Sequence, residues 1–255
     1  ENEFRFREKN KKINLVVKVL LTRPTEDAIS TSNYLKNLSI ESCIAPLLKI
    51  KKVRHKEIDC EEYDFFLFTS KNGVRKFNLK NKDSVDTKIT FAVGPETKEA
   101  LVNSGYKNIV NTNGNLDNLK IKIVKYLKPN SRILHPTYLS QNRQLKNFFH
   151  NLDCHYSCVQ CYSTEKINEE KNLFKKFMTS ENNSLITLYS SLTAHSFIDE
   201  IKKLNLVECS KKKLFIVISE KVKKVLLSFD GFNVFVADHP NEKAMIDLVL
   251  KKIRS

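Results

Sequence analysis

Hydroxyl and amide side chains stand directly after two strongly apolar segments of the sequence. The segment Asp64–Phe68 is followed by Thr69, Ser70, Lys71 and Asn72, and the segment Leu185–Tyr189 is followed by Ser190, Ser191 and Thr193. A strand that passes into a helix leaves backbone N–H groups and the positive end of a helix dipole free, and both suit a carboxylate. The pattern therefore favours anion binding, although the same residue types are also ordinary helix N-caps.

Four further candidates for binding an anionic group follow other apolar segments. They are Arg23, Thr97, Ser219 and Lys221. Arg23 could bind a carboxylate or form a surface ion pair. The hydroxyl groups could serve only as caps, so both interpretations stay open for each residue.

Short apolar segments alternate with helical patterns along almost the whole chain. The predicted strands include Val17–Leu21, Ile89–Val93, Arg132–His135 and Asn233–Ala237. This alternation is typical of parallel sheets with crossover helices. The chain has only 5 Gly and no G-x-G-x-x-G or Walker pattern, so a nucleotide-binding loop is not favoured. No apolar run approaches the ~18–20 residues of a membrane helix.

One strand–helix pattern occurs twice. The order strand, hydroxyl pair, helix, strand, small residue, helix, glycine and strand begins at Asp64 and begins again at Leu185. A module used twice predicts two similar lobes. Two extended segments, Leu47–Val53 and Tyr156–Ile167, are positioned to connect them.

We therefore predict an α/β fold of two similar lobes, each a parallel sheet flanked by helices. The lobes are joined by a two-stranded extended linker, with an active cleft between them. Lobe 1 is predicted to be discontinuous, residues 1–48 and 165–255, because the first strand and helix precede the first crossing. Lobe 2 is predicted to span residues 54–156, with linker strands at 49–53 and 157–164.

The net charge of +15 comes from 44 Lys and Arg against 29 Asp and Glu. Nucleic acid is the first partner that such a charge suggests. However, the lysines are scattered over helix faces and are not interleaved with aromatic residues, as a base-stacking surface requires. A multiply anionic small molecule, or a bias of the whole genome, would account for the charge equally well.

Cysteine and histidine give weak signals. Cys158 and Cys161 form a C-x-x-C pattern, but no second pair of ligands accompanies it, so we expect reduced thiols and no metal. His135 ends a predicted strand and His195 lies within a predicted helix. Neither has a partner visible in the sequence, so we interpret both as structural or surface residues.

The order of short motifs resembles the uroporphyrinogen-III synthase family along nearly the whole chain. The matching stretches include Leu20-Leu-Thr-Arg-Pro24, Tyr63-Asp64, Phe68-Thr-Ser70, Phe91-Ala-Val-Gly94-Pro-Glu-Thr97, Gly114-Asn-Leu-Asp-Asn-Leu119, Ile133-Leu-His-Pro136, Tyr162-Ser-Thr164, Leu188-Tyr-Ser190-Ser191 and Ala237-Asp-His-Pro240. Each motif alone is unspecific. Their order and spacing over more than two hundred residues are specific.

The resemblance implies an enzyme of tetrapyrrole (haem) biosynthesis. Its substrate would be hydroxymethylbilane, a linear tetrapyrrole that the family closes with loss of water and inversion of the terminal pyrrole. The family pattern has a tyrosine facing the cleft at the second crossing, which makes Tyr162 the candidate for assisting the leaving hydroxyl. No cofactor and no metal are implied. We expect a monomer that binds neither membrane nor nucleic acid, and a transient contact with the preceding deaminase stays open.

One departure from the family pattern lies in the second lobe module. The family usually repeats Gly-x-x-Thr there, whereas this chain has Ser219-Glu220-Lys221-Val222. Glu220 would oppose carboxylate binding if it faced inward, and would favour the helix N-terminus if it faced solvent. The segment Glu1–Lys12 does not resemble a signal peptide, so we expect a cytoplasmic protein, or an organellar one after removal of a transit segment. The rival function is a non-catalytic basic α/β protein of the same fold that binds nucleic acid or another polyanion.

Overall fold

The computed structural model describes residues 18–80, 82–112, 116–139, 142–168, 171–180 and 184–254. The chain divides into two compact units. The first unit contains the residues up to Lys49 together with those from Lys166 onward, and the second unit is Ile50–Glu165. Val17, Gly114, Asn115, Gln141 and Glu169, which belong to predicted elements or motifs, lie outside the described residues.

Strands and helices alternate in both units. The strands are β1 (Lys18–Leu21), β2 (Glu41–Ile44), β3 (Leu48–Lys52), β4 (Phe65–Phe68), β5 (Ile89–Ala92), β6 (Ile109–Asn111), β7 (Arg132–Thr137), β8 (His155–Gln160), β9 (Tyr162–Lys166), β10 (Ser184–Leu188), β11 (Leu214–Val217) and β12 (Asn233–Val236). The α-helices are α1 (Thr25–Asn37), α2 (Lys71–Lys76), α3 (Pro95–Asn103), α4 (Leu116–Ile123), α5 (Arg143–His150), α6 (Asn172–Met178), α7 (Ser191–Lys203), α8 (Val207–Lys211), α9 (Glu220–Leu226) and α10 (Glu242–Arg254). Two short 3-10 helices also lie in the second unit: Cys60–Glu62 precedes β4, and Lys82–Thr87 lies between α2 and β5.

Each unit is built on a five-stranded parallel sheet. The strand order is β12-β11-β10-β1-β2 in the first unit and β6-β5-β4-β7-β8 in the second. The strands β3 and β9, at which the chain passes between the units, pair as a two-stranded sheet. The predicted α/β class, with similar parallel sheets flanked by helices, is confirmed.

Apolar side chains fill both faces of each sheet. In β4, Phe66 and Phe68 belong to one buried cluster, and Phe65 and Leu67 belong to the cluster on the other face. The strands of the first unit alternate in the same way between two clusters. A strand of a parallel sheet is covered on both faces, so its sequence is apolar without interruption. This is why the strand positions could be recognised from short apolar segments.

The extended segment predicted at Tyr156–Ile167 is not one strand. It breaks at Cys161, and its first part, β8, is the edge strand of the second sheet, paired with β7 over six positions. Residues 157–160 therefore belong to the sheet and not to the predicted linker. The sequence of an extended segment looks the same whether it pairs within a sheet or connects two units. Only the strand with which it pairs distinguishes the two cases.

None of the described helices is both long and apolar enough to cross a membrane.

Candidate functional site

The strand order of each sheet reverses at one point. In the second unit, β5 and β6 lie on one side of β4, while β7 and β8 lie on the other. In the first unit, the corresponding reversal lies between β10 and β1. Open parallel sheets bind ligands beyond the carboxyl ends of their strands at such a switch point. Thr69 follows β4, Ser190 follows β10 by one residue, and Arg23 follows β1, so the predicted residues lie at these edges.

Ser70 holds the turn between β4 and α2. Its backbone is extended, and its hydroxyl oxygen accepts a hydrogen bond from the backbone N–H of Asn72 at 3.2 Å. The helix α2 has only six residues, so its dipole is short and side chains must carry most of any anion binding here. Thr69, Ser70, Lys71 and Asn72 are all half-buried, which leaves part of each side chain accessible.

Tyr162 lies beside the same turn. Its side chain is 5% exposed, and its hydroxyl is hydrogen-bonded to the Ser70 side chain. Burial raises the pKa of Tyr162, and the Ser70 hydrogen bond opposes that rise. Both hydroxyls can donate and accept, so the Tyr162 phenol can also donate to a bound group. The exposed Tyr138 ring, which follows β7, lies 6.0 Å from the Tyr162 ring.

Two other predicted residues of the second unit are engaged or buried. The Lys71 ammonium forms an ion pair with Glu96 at 2.8 Å, which connects the turn after β4 to the start of α3. Thr97 is 4% exposed, so its hydroxyl is largely withdrawn from the surface. Gly94 caps α3 with a φ of 102°, a conformation that favours glycine.

His135 was interpreted from the sequence as a structural or surface residue, and its burial excludes the surface alternative. The ring is 1% exposed and sits in β7, next to β4. Its Nε2 lies 3.0 Å from the Thr69 hydroxyl and its Nδ1 lies 2.6 Å from the Tyr156 hydroxyl. Burial lowers the pKa of His135 to about 4, so the ring is neutral at physiological pH. Its partners are 66 and 21 residues away in the chain, so no local pattern could have indicated them.

The first unit presents a similar turn after β10. The Ser190 hydroxyl oxygen accepts a hydrogen bond from the Thr193 N–H at 3.1 Å, and the two hydroxyls lie 2.8 Å apart. Thr193 is buried, whereas Ser190 and Ser191 are half-buried. The two serines are therefore the accessible hydroxyls of this turn.

The predicted residues Ser219 and Lys221 lie at the N-terminus of the helix α9. Ser219 is its half-buried N-cap, and Lys221 is exposed. Glu220 is exposed and is the first helical residue, as expected for an acidic group that favours the helix N-terminus. His195 is exposed on α7, in agreement with its interpretation as a surface residue.

Arg23 is not a surface residue, and its guanidinium already has partners within the first unit. It is 6% exposed, and its guanidinium pairs with Glu242 at 2.8 Å and with Asp27 at 3.7 Å. It also donates to the Thr31 hydroxyl at 3.1 Å and stacks over the Tyr189 ring at 4.0 Å. A bound carboxylate would have to compete with these acids, which the sequence did not reveal.

The six cysteines are all described and none forms a disulfide. Cys161 is buried, with its sulfur near the carbonyl oxygens of Gly73 and Thr137. Burial raises the pKa of both Cys158 and Cys161, so each stays a thiol. In the described part of the chain, no group of three or more His, Cys, Asp or Glu side chains is arranged to hold a metal ion.

Comparison with known proteins relates the sequence and the fold to one family. The sequence model described as uroporphyrinogen-III synthase HemD matches residues 30–247, which extend through both units. The porphyrin biosynthesis protein HemD of Ruminiclostridium josui is 26% identical over 92% of the chain and 48% of its own length. The putative uroporphyrinogen-III synthase of Methanocaldococcus jannaschii is 25% identical over 91% of the chain and 98% of its own length. The chain thus spans about half of the first relative and almost all of the second.

Two solved structures share the fold. The uroporphyrinogen-III synthetase of Helicobacter pylori has a TM-score of 0.62 at 14% identity and covers 92% of this chain and 99% of its own. A mutant uroporphyrinogen III synthase of Thermus thermophilus has a TM-score of 0.52 at 14% identity and covers 93% of this chain and 98% of its own. Identities this low support the fold, and the family model over residues 30–247 decides the membership. The chain belongs to the uroporphyrinogen-III synthase family.

Proposed function

We propose that the protein is a uroporphyrinogen-III synthase, a cyclising hydro-lyase that acts on hydroxymethylbilane. The match to the family model over residues 30–247 carries this proposal. Hydroxymethylbilane loses its hydroxyl group as water, and the resulting electrophile is attacked by the terminal pyrrole at its substituted position. The family reaction passes through a spiro intermediate and closes the ring with that pyrrole inverted.

Tyr162 is the proposed acid for the departing hydroxyl. Its ring is buried beside Ser70, and a phenol hydroxyl can donate a hydrogen bond to the leaving group. The raised pKa keeps the side chain a phenol, which can donate but is a weak acid. Proton donation is thus a modest contribution, and holding the flexible chain in the reactive geometry must supply the larger one.

The hydroxyl, amide and basic side chains that follow the strands of the two sheets are the proposed ligands of the substrate carboxylates. In the second unit they are Thr69, Ser70, Lys71, Asn72 and Thr97, and in the first unit they are Arg23, Ser190, Ser191, Thr193, Ser219 and Lys221. The half-buried uncharged residues are favoured among these: Thr69, Ser70, Asn72, Ser190, Ser191 and Ser219. Arg23, Thr97 and Thr193 are the weakest, because they are buried or already paired.

A coupled assay tests the activity. Porphobilinogen and a deaminase generate hydroxymethylbilane, the protein is added, and the products are oxidised and separated by chromatography. We expect mostly the type III porphyrin isomer. The type I isomer, which forms without a catalyst, as the dominant product from folded protein would overturn the proposal. The deaminase without this protein serves as the baseline.

The proposed activity is accompanied by proposals for the oligomeric state, the compartment and the source of the substrate. We propose that the enzyme acts as a monomer, without a cofactor, in the cytoplasm, and that it takes its substrate from the deaminase by transient contact or by diffusion. Sedimentation at assay concentration tests the monomer. A dependence of the type III yield on the deaminase concentration, at constant substrate supply, would support the contact.

A further inference from the structure

Four polar side chains of the second unit form one connected chain under the β4–β7 switch point. Cys158 donates through its sulfur to the Tyr156 hydroxyl oxygen at 3.0 Å. The Tyr156 hydroxyl lies 2.6 Å from His135 Nδ1, and His135 Nε2 lies 3.0 Å from the Thr69 hydroxyl oxygen. This series of hydrogen bonds begins at the edge strand β8, crosses β7, and ends at Thr69, the half-buried residue that follows β4.

The direction of these hydrogen bonds follows from which groups can donate. Tyr156 accepts from Cys158, so its own hydrogen is available to His135. The 2.6 Å separation is shorter than the roughly 2.9–3.0 Å usual for an N–H donor and suits an O–H donor. Nδ1 of His135 is then the acceptor, and the single ring proton of the neutral imidazole lies on Nε2.

We propose that His135 is a positioning residue that holds Thr69 by an Nε2–H donor, so that the Thr69 hydroxyl hydrogen points away from the ring, toward a substrate carboxylate. The other tautomer would have the opposite effect. With the proton on Nδ1, Thr69 would donate to Nε2 and would offer a carboxylate only oxygen lone pairs. The tautomer of a buried histidine therefore decides whether this edge of the sheet attracts or repels an anion.

Several contacts keep the ring in this state. Its burial disfavours the charged form, and Tyr156 stays protonated because burial also raises the pKa of that phenol. The Tyr156 ring is stacked against Phe149 at 5.1 Å, with the planes inclined by 17°, which fixes the hydroxyl relative to β7. A ring held on both sides loses little freedom when the ligand arrives, so Thr69 is preorganised.

The inference rests on the proposed function for the identity of the ligand, and a double-mutant cycle tests it. Thr69→Val is expected to raise the KM for hydroxymethylbilane roughly 10-fold, since it removes one hydrogen bond to a charged carboxylate. His135→Phe is expected to raise the KM by up to the same factor, since the Thr69 hydroxyl loses the donor that orients it. The kcat of folded enzyme should stay near the wild-type value. The double variant should be no worse than Thr69→Val alone, because both changes act through the Thr69 hydroxyl. Additive losses would overturn the inference.

Conservative variants separate positioning from a general structural role. His135→Gln keeps an N–H near the Nε2 position and should restore most of the affinity lost in His135→Phe. Tyr156→Phe retains the ring stacking but removes the donor to Nδ1, so it should also raise KM with kcat unchanged. A loss of kcat and thermal stability in parallel, with no rescue by glutamine, would show that the cluster only supports the fold.

Nitrogen-15 NMR of the histidine rings in the ligand-free wild-type protein tests the tautomer without any activity. A protonated Nε2 on His135 supports the inference, and a protonated Nδ1 overturns it. Wild-type protein that yields no type III product would end the proposed function, and the NMR result would still decide the tautomer. If the wild-type protein is active but the KM changes of the two single variants add in the double variant, only the proposed role of His135 is overturned.

Discussion

Tyr162 combines a buried ring with a hydroxyl that lies beside Ser70 and can donate a hydrogen bond. Replacing it with phenylalanine retains the ring next to Tyr138 and removes only the donor. We expect kcat for type III formation to fall by up to roughly 100-fold, the lower end of general acid catalysis, because the phenol is a weak acid. The isomer assay at saturating substrate measures the change.

The control for this variant is Tyr34→Phe, a tyrosine that is 53% exposed on α1. It should leave the rate unchanged. If Tyr162→Phe has the same activity as Tyr34→Phe, the leaving hydroxyl departs without help from Tyr162. Orientation alone would then account for catalysis.

Arg23 is the residue whose interpretation the structure changes most. Its guanidinium joins α1 to the start of α10 through Asp27 and Glu242. Arg23→Met would leave a nearly buried Asp27 without this partner, so we expect unfolding to become easier by about 3 kcal/mol. Chemical denaturation measures that loss, and the KM of the remaining folded enzyme should change little, because the guanidinium is already paired with two acids.

Lys18→Met provides the matched comparison. Lys18 pairs with Glu41 at 3.2 Å, but both side chains are about half exposed. An exposed pair contributes less than about 1 kcal/mol, so this variant should remain close to wild type. A rise in KM for Arg23→Met without a loss of stability would mean that Arg23 mainly binds substrate and does little to hold α1 and α10 together.

At the scale of elements, α2 packs against the end of β7 through Gly73. A Cβ atom at this position would lie 2.7 Å from the Pro136 carbonyl oxygen, which is backbone and cannot turn aside. We expect Gly73→Ala to lower the free energy of unfolding by about 1–3 kcal/mol. Arg75→Ala, at an exposed position of the same helix, should change it by less than about 0.5 kcal/mol. Equal stability of the two variants would mean that α2 can shift away from β7 at little cost.

Sequence and structure agree where the signal is local. The apolar segments predicted β4 and β10, and the hydroxyl residues that follow each strand were correctly placed at the turns into α2 and α7. The sequence could not reveal contacts between distant segments. Neither the partners of His135 nor the acids around Arg23 follow from any spacing, and the break at Cys161 depends on pairing with β7. Such contacts are set by topology.

At the scale of the whole molecule, stability should depend on pH through His135. Its pKa is about 4 in the folded protein against 6.5 for an ordinary histidine. Between these values the unfolded chain binds a proton that the folded ring does not, so unfolding becomes more favourable as the pH falls. The contribution of His135 is fully present above about pH 6.5 and is lost progressively down to about pH 4. The shift sets a limit of about 3 kcal/mol on this loss.

Comparison with His135→Gln isolates this term, because the carboxylates titrate in both proteins. Urea titrations followed by circular dichroism at a series of pH values from 4 to 7 give the free energy of unfolding of each. We expect the wild-type curve to fall more steeply than that of the variant through this range, and the difference to level off at either end. Parallel curves would mean that His135 is hydrated or becomes protonated without unfolding. The same result would count against the inference that His135 is neutral and protonated on Nε2 at the switch point.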